Sequence, residues 1–194
     1  AQIAFPTTCA VEPQTPNLAR LNRWQLAILD EAGTPQQSET VDAVPLSNQL
    51  GQGGFHYAPN IREAFGQMPT LALPTLDLRY SCGFHYATNT PVELVMEPGS
   101  LLGDWSLRLN DSPAFTAADF RPTSTHVRGS LGLDLTPWLQ AGVNQLAIHV
   151  TTNRLDGGLR NPLYLTGVFG VELAPLRLVD RPKGGHFEAY ETNA

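Results

Sequence analysis

The most polar segment of the chain carries the side chains best suited to binding a ligand. Residues 151–161 read TTNRLDGGLRN, with two arginines, two asparagines and one aspartate around a Gly-Gly pair. Planar guanidinium, amide and carboxylate groups make paired hydrogen bonds to hydroxyl groups, and the glycines permit positive φ and close approach of another surface. The segment therefore predicts either a polyol- or cation-binding edge or a salt-bridged structural loop. The candidate binding residues are Asn153, Arg154, Asp156, Arg160 and Asn161.

Motifs for nucleophilic, nucleotide or metal chemistry are absent from the sequence. It contains no G-x-S-x-G, P-loop, G-x-G-x-x-G or H-E-x-x-H pattern. His186 and Glu188 form an H-x-E pair, but the C-x-x-C that completes a zinc deaminase site is missing. His85 and His149 fall on the polar phase of strand patterns, which predicts solvent-facing or locally hydrogen-bonded side chains.

Acidic residues are frequent, but their spacing does not select a catalytic pair. Glycoside hydrolysis needs two carboxyl groups about 5–10 Å apart. The acids available for this role are Asp104, Asp111, Asp119, Asp134 and Asp156. A self-contained glycosidase or polysaccharide lyase using surface carboxylates therefore stays an alternative, without a residue pair to support it.

Alternation of apolar and polar residues predicts strands on either side of the polar segment. The longest alternating run is Leu76–Tyr86, and Asn144–Val150 repeats the pattern. Further strands are predicted at 24–29, 92–96, 105–109, 131–135, 163–165, 168–173 and 176–179. Short strands separated by Gly/Pro turns predict an all-β fold, an antiparallel jelly-roll β-sandwich. Residues 31–70 are expected to be irregular, with one helical turn at Ile61–Gln67.

The inward phase of these strands predicts the core, and one cysteine belongs to it. Cys82 is expected to be a buried free thiol, and Cys9, near the N-terminus, a second free thiol. The predicted core residues are Leu78, Tyr80, Cys82, Phe84, Trp105, Leu107, Leu133, Leu146, Ile148 and Val150.

Length, composition and charge limit the classes of protein that fit. With 194 residues, 42% hydrophobic and 15% charged, the chain suits one globular domain spanning 1–194. An irregular N-terminal segment, 1–20, and a polar C-terminal tail, 181–194, are expected to flank its body.

The net charge of −6 and the scattered basic residues argue against nucleic acid as a partner. No apolar run approaches 18 residues, so no membrane-spanning segment is predicted. The chain begins at Ala1 without a methionine, as a processed or excised segment would.

Ordered motifs across about half the chain resemble the sugar-binding domain of family 2 glycoside hydrolases, the galactose-binding-like jelly roll of β-galactosidase and its relatives. The matching segments, in order, are LRY at 78–80, VEL at 92–94, LRLN at 107–110, LDLTPWL with AGVNQLAI at 133–148, and DGG with TGVFGV at 156–171. The chain departs from the family where Asp111 replaces the usual glycine after Asn110, and where 168–170 read VFG in place of Ile-x-Arg.

This resemblance implies a role that depends on a catalytic neighbour. In β-galactosidases the acid of the last motif reaches into the active site of the adjoining barrel domain and helps to hold a cation and the substrate. Asp156 matches that position, so the resemblance makes it a metal-binding candidate, with calcium or sodium as the structural cation and no other cofactor. The family's catalytic glutamates lie in the barrel domain, which is not part of these 194 residues.

We therefore expect a non-catalytic, carbohydrate-binding accessory domain of a larger bacterial glycoside hydrolase. Its expected partners are carbohydrate and the catalytic domain whose site it completes, with no nucleic acid and no membrane. A structural or adhesion module without a sugar ligand is a further alternative to the small glycosidase. Cytoplasmic and secreted locations both stay open.

Overall fold

The computed structural model describes residues 8–11, 16–52, 74–124, 127–181 and 185–188, and strands dominate these segments. The strands are β1 (Thr8–Val11), β2 (Asn17–Leu21), β3 (Arg23–Leu29), β4 (Pro35–Asp42), β5 (Leu76–Ala87), β6 (Glu93–Met96), β7 (Leu101–Leu102), β8 (Asp104–Leu109), β9 (Arg121–Pro122), β10 (Leu131–Asp134), β11 (Gly142–Thr152), β12 (Gly158–Leu159), β13 (Leu163–Gly167), β14 (Phe169–Glu172), β15 (Arg177–Asp180) and β16 (Gly185–Glu188). One α-helix, α1 (Leu46–Gln52), and two 3₁₀ turns, Ala117–Asp119 and Thr136–Trp138, complete the described elements.

Two main sheets form the sandwich, which confirms the predicted all-β fold class. One sheet has the order β2-β13-β6-β10-β9. The other has the order β14-β15-β5-β11-β8, and β3 joins it by pairing with both β5 and β4. Pairing within both sheets is antiparallel except between β15 and β5, which run parallel. Two small pairs, β1 with β16 and β12 with β7, lie outside these sheets.

The β5–β11 pair is the longest ladder and carries the centre of the core. Its register runs without a break from Leu76 opposite Thr152 to Tyr86 opposite Gly142. All the predicted core residues are buried except Cys82 and Trp105, which pack against the core while partly exposed. Trp105 lies on edge strand β8, where its ring meets Phe120 edge to face at 5.8 Å between centroids.

The thiol expectation is met at the cysteine whose side chain is described. Cys82 is a free cysteine, and desolvation in the core raises the pKa of its thiol. A thiol held protonated in this way behaves as a small apolar group.

The expectation of an irregular 31–70 segment is wrong for its first part. Strand β4 was missed because its sequence, PQQSETVD, is polar at most positions, as suits an edge strand that pairs only with β3. Helix α1 was missed because it is short, although Leu46 and Leu50 are one turn apart and fully buried. The predicted helical turn at Ile61–Gln67 lies outside the described residues.

The chain ends also contain strands. Strand β1 and all but the last residue of β2 fall within the segment expected to be irregular, 1–20, and β16 falls within the expected tail, 181–194. Strand β16 pairs with β1 over four residues of each strand. The division of the chain into one domain with two flanking segments stays a prediction. No helix among the described residues is long and apolar enough to cross a membrane.

Two asparagines fasten the hairpin turn after β8 to the start of β11. Asn144 is fully buried, and its side-chain nitrogen donates to the Gln140 carbonyl oxygen at 2.7 Å. Its side-chain oxygen accepts from the Asn110 side chain at 2.8 Å and from the Gln140 backbone nitrogen at 2.9 Å. Asn110 itself has φ of 51°, a conformation that asparagine tolerates well, so the turn forms although Asp111 stands in place of glycine.

We predict that Asn144→Ala destabilises the domain by about 2–4 kcal/mol, because it leaves several buried polar groups without partners. Urea denaturation followed by tryptophan fluorescence measures this free energy of unfolding. Asn89→Ala is the matched control, since Asn89 is exposed in the connection between β5 and β6, and it should change stability by less than about 0.5 kcal/mol. Equal losses of stability in the two variants would show that the hydrogen bonds of Asn144 do not stabilise the folded domain.

Candidate functional site

The polar loop at 153–161 connects the two sheets at one end of the sandwich. It leaves β11 after Thr152, forms the short strand β12 and enters β13 at Leu163. Strand β12 pairs with β7, and the Arg160 backbone nitrogen extends this pairing by donating to the Ser100 carbonyl oxygen at 2.8 Å. The predicted location between two strands is therefore observed, and the loop is fixed along part of its length.

Helix α1 holds the inner side of the loop through its backbone. The Ser47 nitrogen donates to the Leu155 carbonyl oxygen at 2.8 Å, and the Leu46 nitrogen donates to the Gly157 carbonyl oxygen at 3.3 Å. Both bonds join the first residues of α1 to carbonyl groups of the loop. The loop is thus fastened on one side by β7 and on the other by α1.

Buried hydrogen bonds made by two side chains, Tyr80 and Gln49, connect the same loop to the core. The Tyr80 hydroxyl donates to Oε1 of Gln49 at 2.8 Å, and Nε2 of Gln49 donates to the carbonyl oxygens of Leu159 and Asp42, each at 3.0 Å. Tyr80 and Gln49 have no exposed surface. Burial raises the pKa of Tyr80, so its hydroxyl stays protonated and can donate.

The Gly-Gly pair is explained by contacts inside the domain. Gly158 has φ of 79°, and a Cβ atom at this position would collide with the Tyr80 hydroxyl. A Cβ atom on Gly157 would collide with Oγ1 of Thr152. The surface that approaches these glycines closely therefore belongs to the chain itself.

The outer side of the loop presents a paired guanidinium and carboxylate. Nε and Nη2 of Arg154 donate to Oδ1 and Oδ2 of Asp156, both at 2.9 Å. The two side chains are 59% and 49% exposed. The hydrogen bond from Arg154 lowers the pKa of Asp156, and the charge of Arg160 acts in the same direction. The carboxylate is therefore ionised and oriented by its partner, while much of its surface faces solvent.

The other candidate residues are less closely joined. Asn153 is exposed, and Arg160 and Asn161 are half-buried. Nε of Arg160 is buried and has no hydrogen-bond partner among the described residues. The structure thus brings Arg154 and Asp156 together, with Arg160 near enough for its charge to affect Asp156, and it shows no shared contact for the two asparagines within the described segments.

Metal and histidine chemistry gain no support from the described residues. Among them, no three His, Cys, Asp or Glu side chains are grouped so that they could hold a metal ion. Asp156 as a cation ligand stays a prediction. Nε2 of His149 lies 3.9 Å from Oδ1 of Asp77 on exposed surface, as its polar phase predicts. Nδ1 of His85 is buried without a hydrogen-bond partner among the described residues.

Sequence reasoning missed the groups that position the loop. Tyr80 was predicted only as a core residue, and no hydrogen-bond partner was predicted for its hydroxyl group. Gln49 falls in the segment expected to be irregular, although a glutamine between Leu46 and Leu50 is the signal for a buried amide on a short amphipathic helix.

Comparison with known proteins identifies the fold. No family model and no curated protein matches the chain. Among solved structures, the β-glucuronidase of an uncultured Clostridium species is similar with a TM-score of 0.50 and 12% identity, covering 85% of this chain and 30% of that one. A Ruminococcus gnavus β-glucuronidase in complex with D-glucaro-δ-lactam gives a TM-score of 0.51 and 11% identity, covering 82% and 30%.

The exo-β-D-glucosaminidase CsxA gives a TM-score of 0.54 and 13% identity, covering 80% of this chain and 21% of that one. This chain therefore spans less than a third of the length of these three enzymes. At such low identity the likeness shows the fold: the chain has the architecture of one part of larger glycoside hydrolases.

Proposed function

We propose that this chain is a non-catalytic accessory domain of a glycoside hydrolase, which binds carbohydrate or completes a neighbouring catalytic site with its 153–161 loop. The observation that carries the proposal is the exposed Arg154–Asp156 pair, oriented by two hydrogen bonds on a loop whose inner side is fixed. The resemblance of the DGG segment to the family 2 sugar-binding domain, and the shared fold, support the same role.

The chemistry of the pair suits a polyhydroxylated ligand. Each charged group can exchange part of its mutual hydrogen bonding for a sugar hydroxyl, since the guanidinium donates and the carboxylate accepts. Because α1, β7 and Gln49 hold the loop backbone, less conformational freedom is lost on binding than on a loose loop. The loop therefore has a backbone that is fixed before a ligand binds, and polar side chains that are exposed to that ligand.

We predict that Asp156→Ala reduces carbohydrate affinity, or the kcat/KM of a longer polypeptide containing a catalytic domain, by about tenfold. The midpoint of thermal unfolding should change by less than about 3 °C, because exposed ion pairs contribute little to stability. Titration calorimetry with oligosaccharides and a thermal melt measure the two quantities. Asp111→Ala removes an exposed carboxylate from a different turn and should leave both unchanged.

Three outcomes would contradict the proposal. If Asp156→Ala unfolds the domain while affinity is untouched, Asp156 is a structural anchor. If the isolated chain hydrolyses aryl-glycosides and one Asp→Asn substitution abolishes that turnover, the chain is a small glycosidase. If oligosaccharides do not bind and no catalytic domain is encoded with the chain, the structural or adhesion alternative holds.

We also predict that Gly158→Ala destabilises the domain by at least about 1 kcal/mol more than Gly99→Ala. Both glycines have positive φ, 79° and 74°, so both variants include the strain of that conformation. Only the Gly158 variant adds a collision with Tyr80, because the space around Gly99 is open. Chemical denaturation measures the difference, and equal losses would contradict the close packing of Tyr80 beneath the loop.

A further inference from the structure

Arg160 differs from the other charged residues of the 153–161 loop because its guanidinium group has no partner within the described segments. Nε of Arg160 is buried there without a hydrogen-bond partner, and the group makes no ion pair with a described residue. Arg154, by contrast, uses two of its nitrogen atoms to bind Asp156. The donors of Arg160 are therefore available to a group from outside the domain.

The backbone holds Arg160 in a fixed position. The residue follows β12, whose pairing with β7 places Leu159 opposite Leu101. The Arg160 nitrogen continues this pairing by donating to the Ser100 carbonyl oxygen at 2.8 Å. A ligand that binds the guanidinium group therefore does not have to order the backbone that carries it, which reduces the entropic cost of binding.

Ser100, the residue bonded to Arg160, provides a second unpartnered donor. Ser100 is 1% exposed, and its Oγ atom is buried without a hydrogen-bond partner among the described residues. Such atoms are uncommon in folded proteins, because an unsatisfied buried donor is costly. At the base of the loop, the described part of the chain thus supplies no acceptor for either Nε of Arg160 or Oγ of Ser100.

The charges of the loop favour an acceptor that is an anion. Arg154 and Arg160 contribute two positive charges, and Asp156 contributes the one negative charge within residues 153–161. Arg154 binds both carboxylate oxygens of Asp156, and Arg160 acts on Asp156 through its charge. One positive charge of the loop is therefore not neutralised within the loop. A carboxylate matches it in shape, since guanidinium and carboxylate are planar groups that can form two parallel hydrogen bonds.

We propose that the 153–161 loop binds an acidic saccharide, a uronic acid whose carboxylate pairs with Arg160 while its hydroxyl groups contact the Arg154–Asp156 pair. The inference rests on the proposed carbohydrate-binding function and names the class of sugar that the loop takes. The Arg154–Asp156 pair offers an acceptor as well as donors, which suits a hydroxylated ring better than an acidic side chain of a docked protein.

The experiment compares cellobiose with cellobiouronic acid, in which a carboxylate replaces the terminal hydroxymethyl group. Calorimetric titration of the chain should give at least about tenfold higher affinity for the acid, because only the acid forms a charge-assisted pair with Arg160. Arg160→Gln should remove this preference and leave the affinity for cellobiose within about twofold of wild type.

Two further variants control for charge and folding. Arg160→Lys keeps the charge but loses the planar arrangement of donors, so its preference for the acid should lie between those of wild type and Arg160→Gln. Arg108→Gln removes an exposed arginine from β8 and should change neither affinity. A thermal melt shows that each variant is folded, and Arg160→Lys carries the test if Arg160→Gln does not fold.

Asp156→Ala separates this inference from the proposed function. This variant should weaken cellobiose while the preference for the acid persists, because Arg160 is still present. Equal affinities of the wild-type chain for the two sugars, or a preference that persists in Arg160→Gln, would overturn the inference and leave the proposed function standing. Binding of neither sugar would overturn the inference together with sugar binding by the loop. Loss of attachment to a catalytic domain in Arg160→Gln, with both sugar affinities unchanged, would assign Arg160 to a protein interface and overturn the inference.

Discussion

The hydrogen bond between Tyr80 and Gln49 is the constraint that organises one end of the sandwich. A tyrosine in the middle of a buried strand must find a partner for its hydroxyl, because an unpaired buried donor is costly. Gln49 supplies the acceptor and uses its own amide to hold the Leu159 and Asp42 carbonyl groups. Strand β5, helix α1, the end of β4 and strand β12 therefore meet at one buried amide.

The consequences of this bond reach the surface. With the Tyr80 hydroxyl directly beneath the loop, residue 158 has no space for a side chain and must be glycine. The loop backbone is then held close to the core, and the Arg154–Asp156 pair is left facing solvent. The two sides of the loop thus differ: its inner side fastens structural elements together, and its outer side exposes polar groups. Of the two interpretations that the sequence left open, the salt-bridged loop is observed in the Arg154–Asp156 pair, and the binding edge stays a proposal.

The extent to which the sequence predicts this structure depends on how much of each element is buried on one face. Alternation placed β5 to within one residue and β11 to within two residues at each end, since each has one apolar face over most of its length. It missed β4, where Val41 is buried but most other positions are polar. The loop itself could be located because strong strands flank it. The reason for its glycines could not be found, because Tyr80 and Gln49 are distant in sequence.

Backbone amide hydrogen exchange in wild type and Tyr80→Phe measures whether the Tyr80–Gln49 bond holds the loop in place. The amides of Ser47 and Arg160 report on the loop, since they donate to Leu155 and Ser100. We expect both amides to lose protection in Tyr80→Phe, by about tenfold or more, while the Ile148 amide in the middle of β11 keeps its protection after correction for any change in global stability. Unchanged protection of Ser47 and Arg160 in the variant would show that the Tyr80–Gln49 bond does not hold the loop.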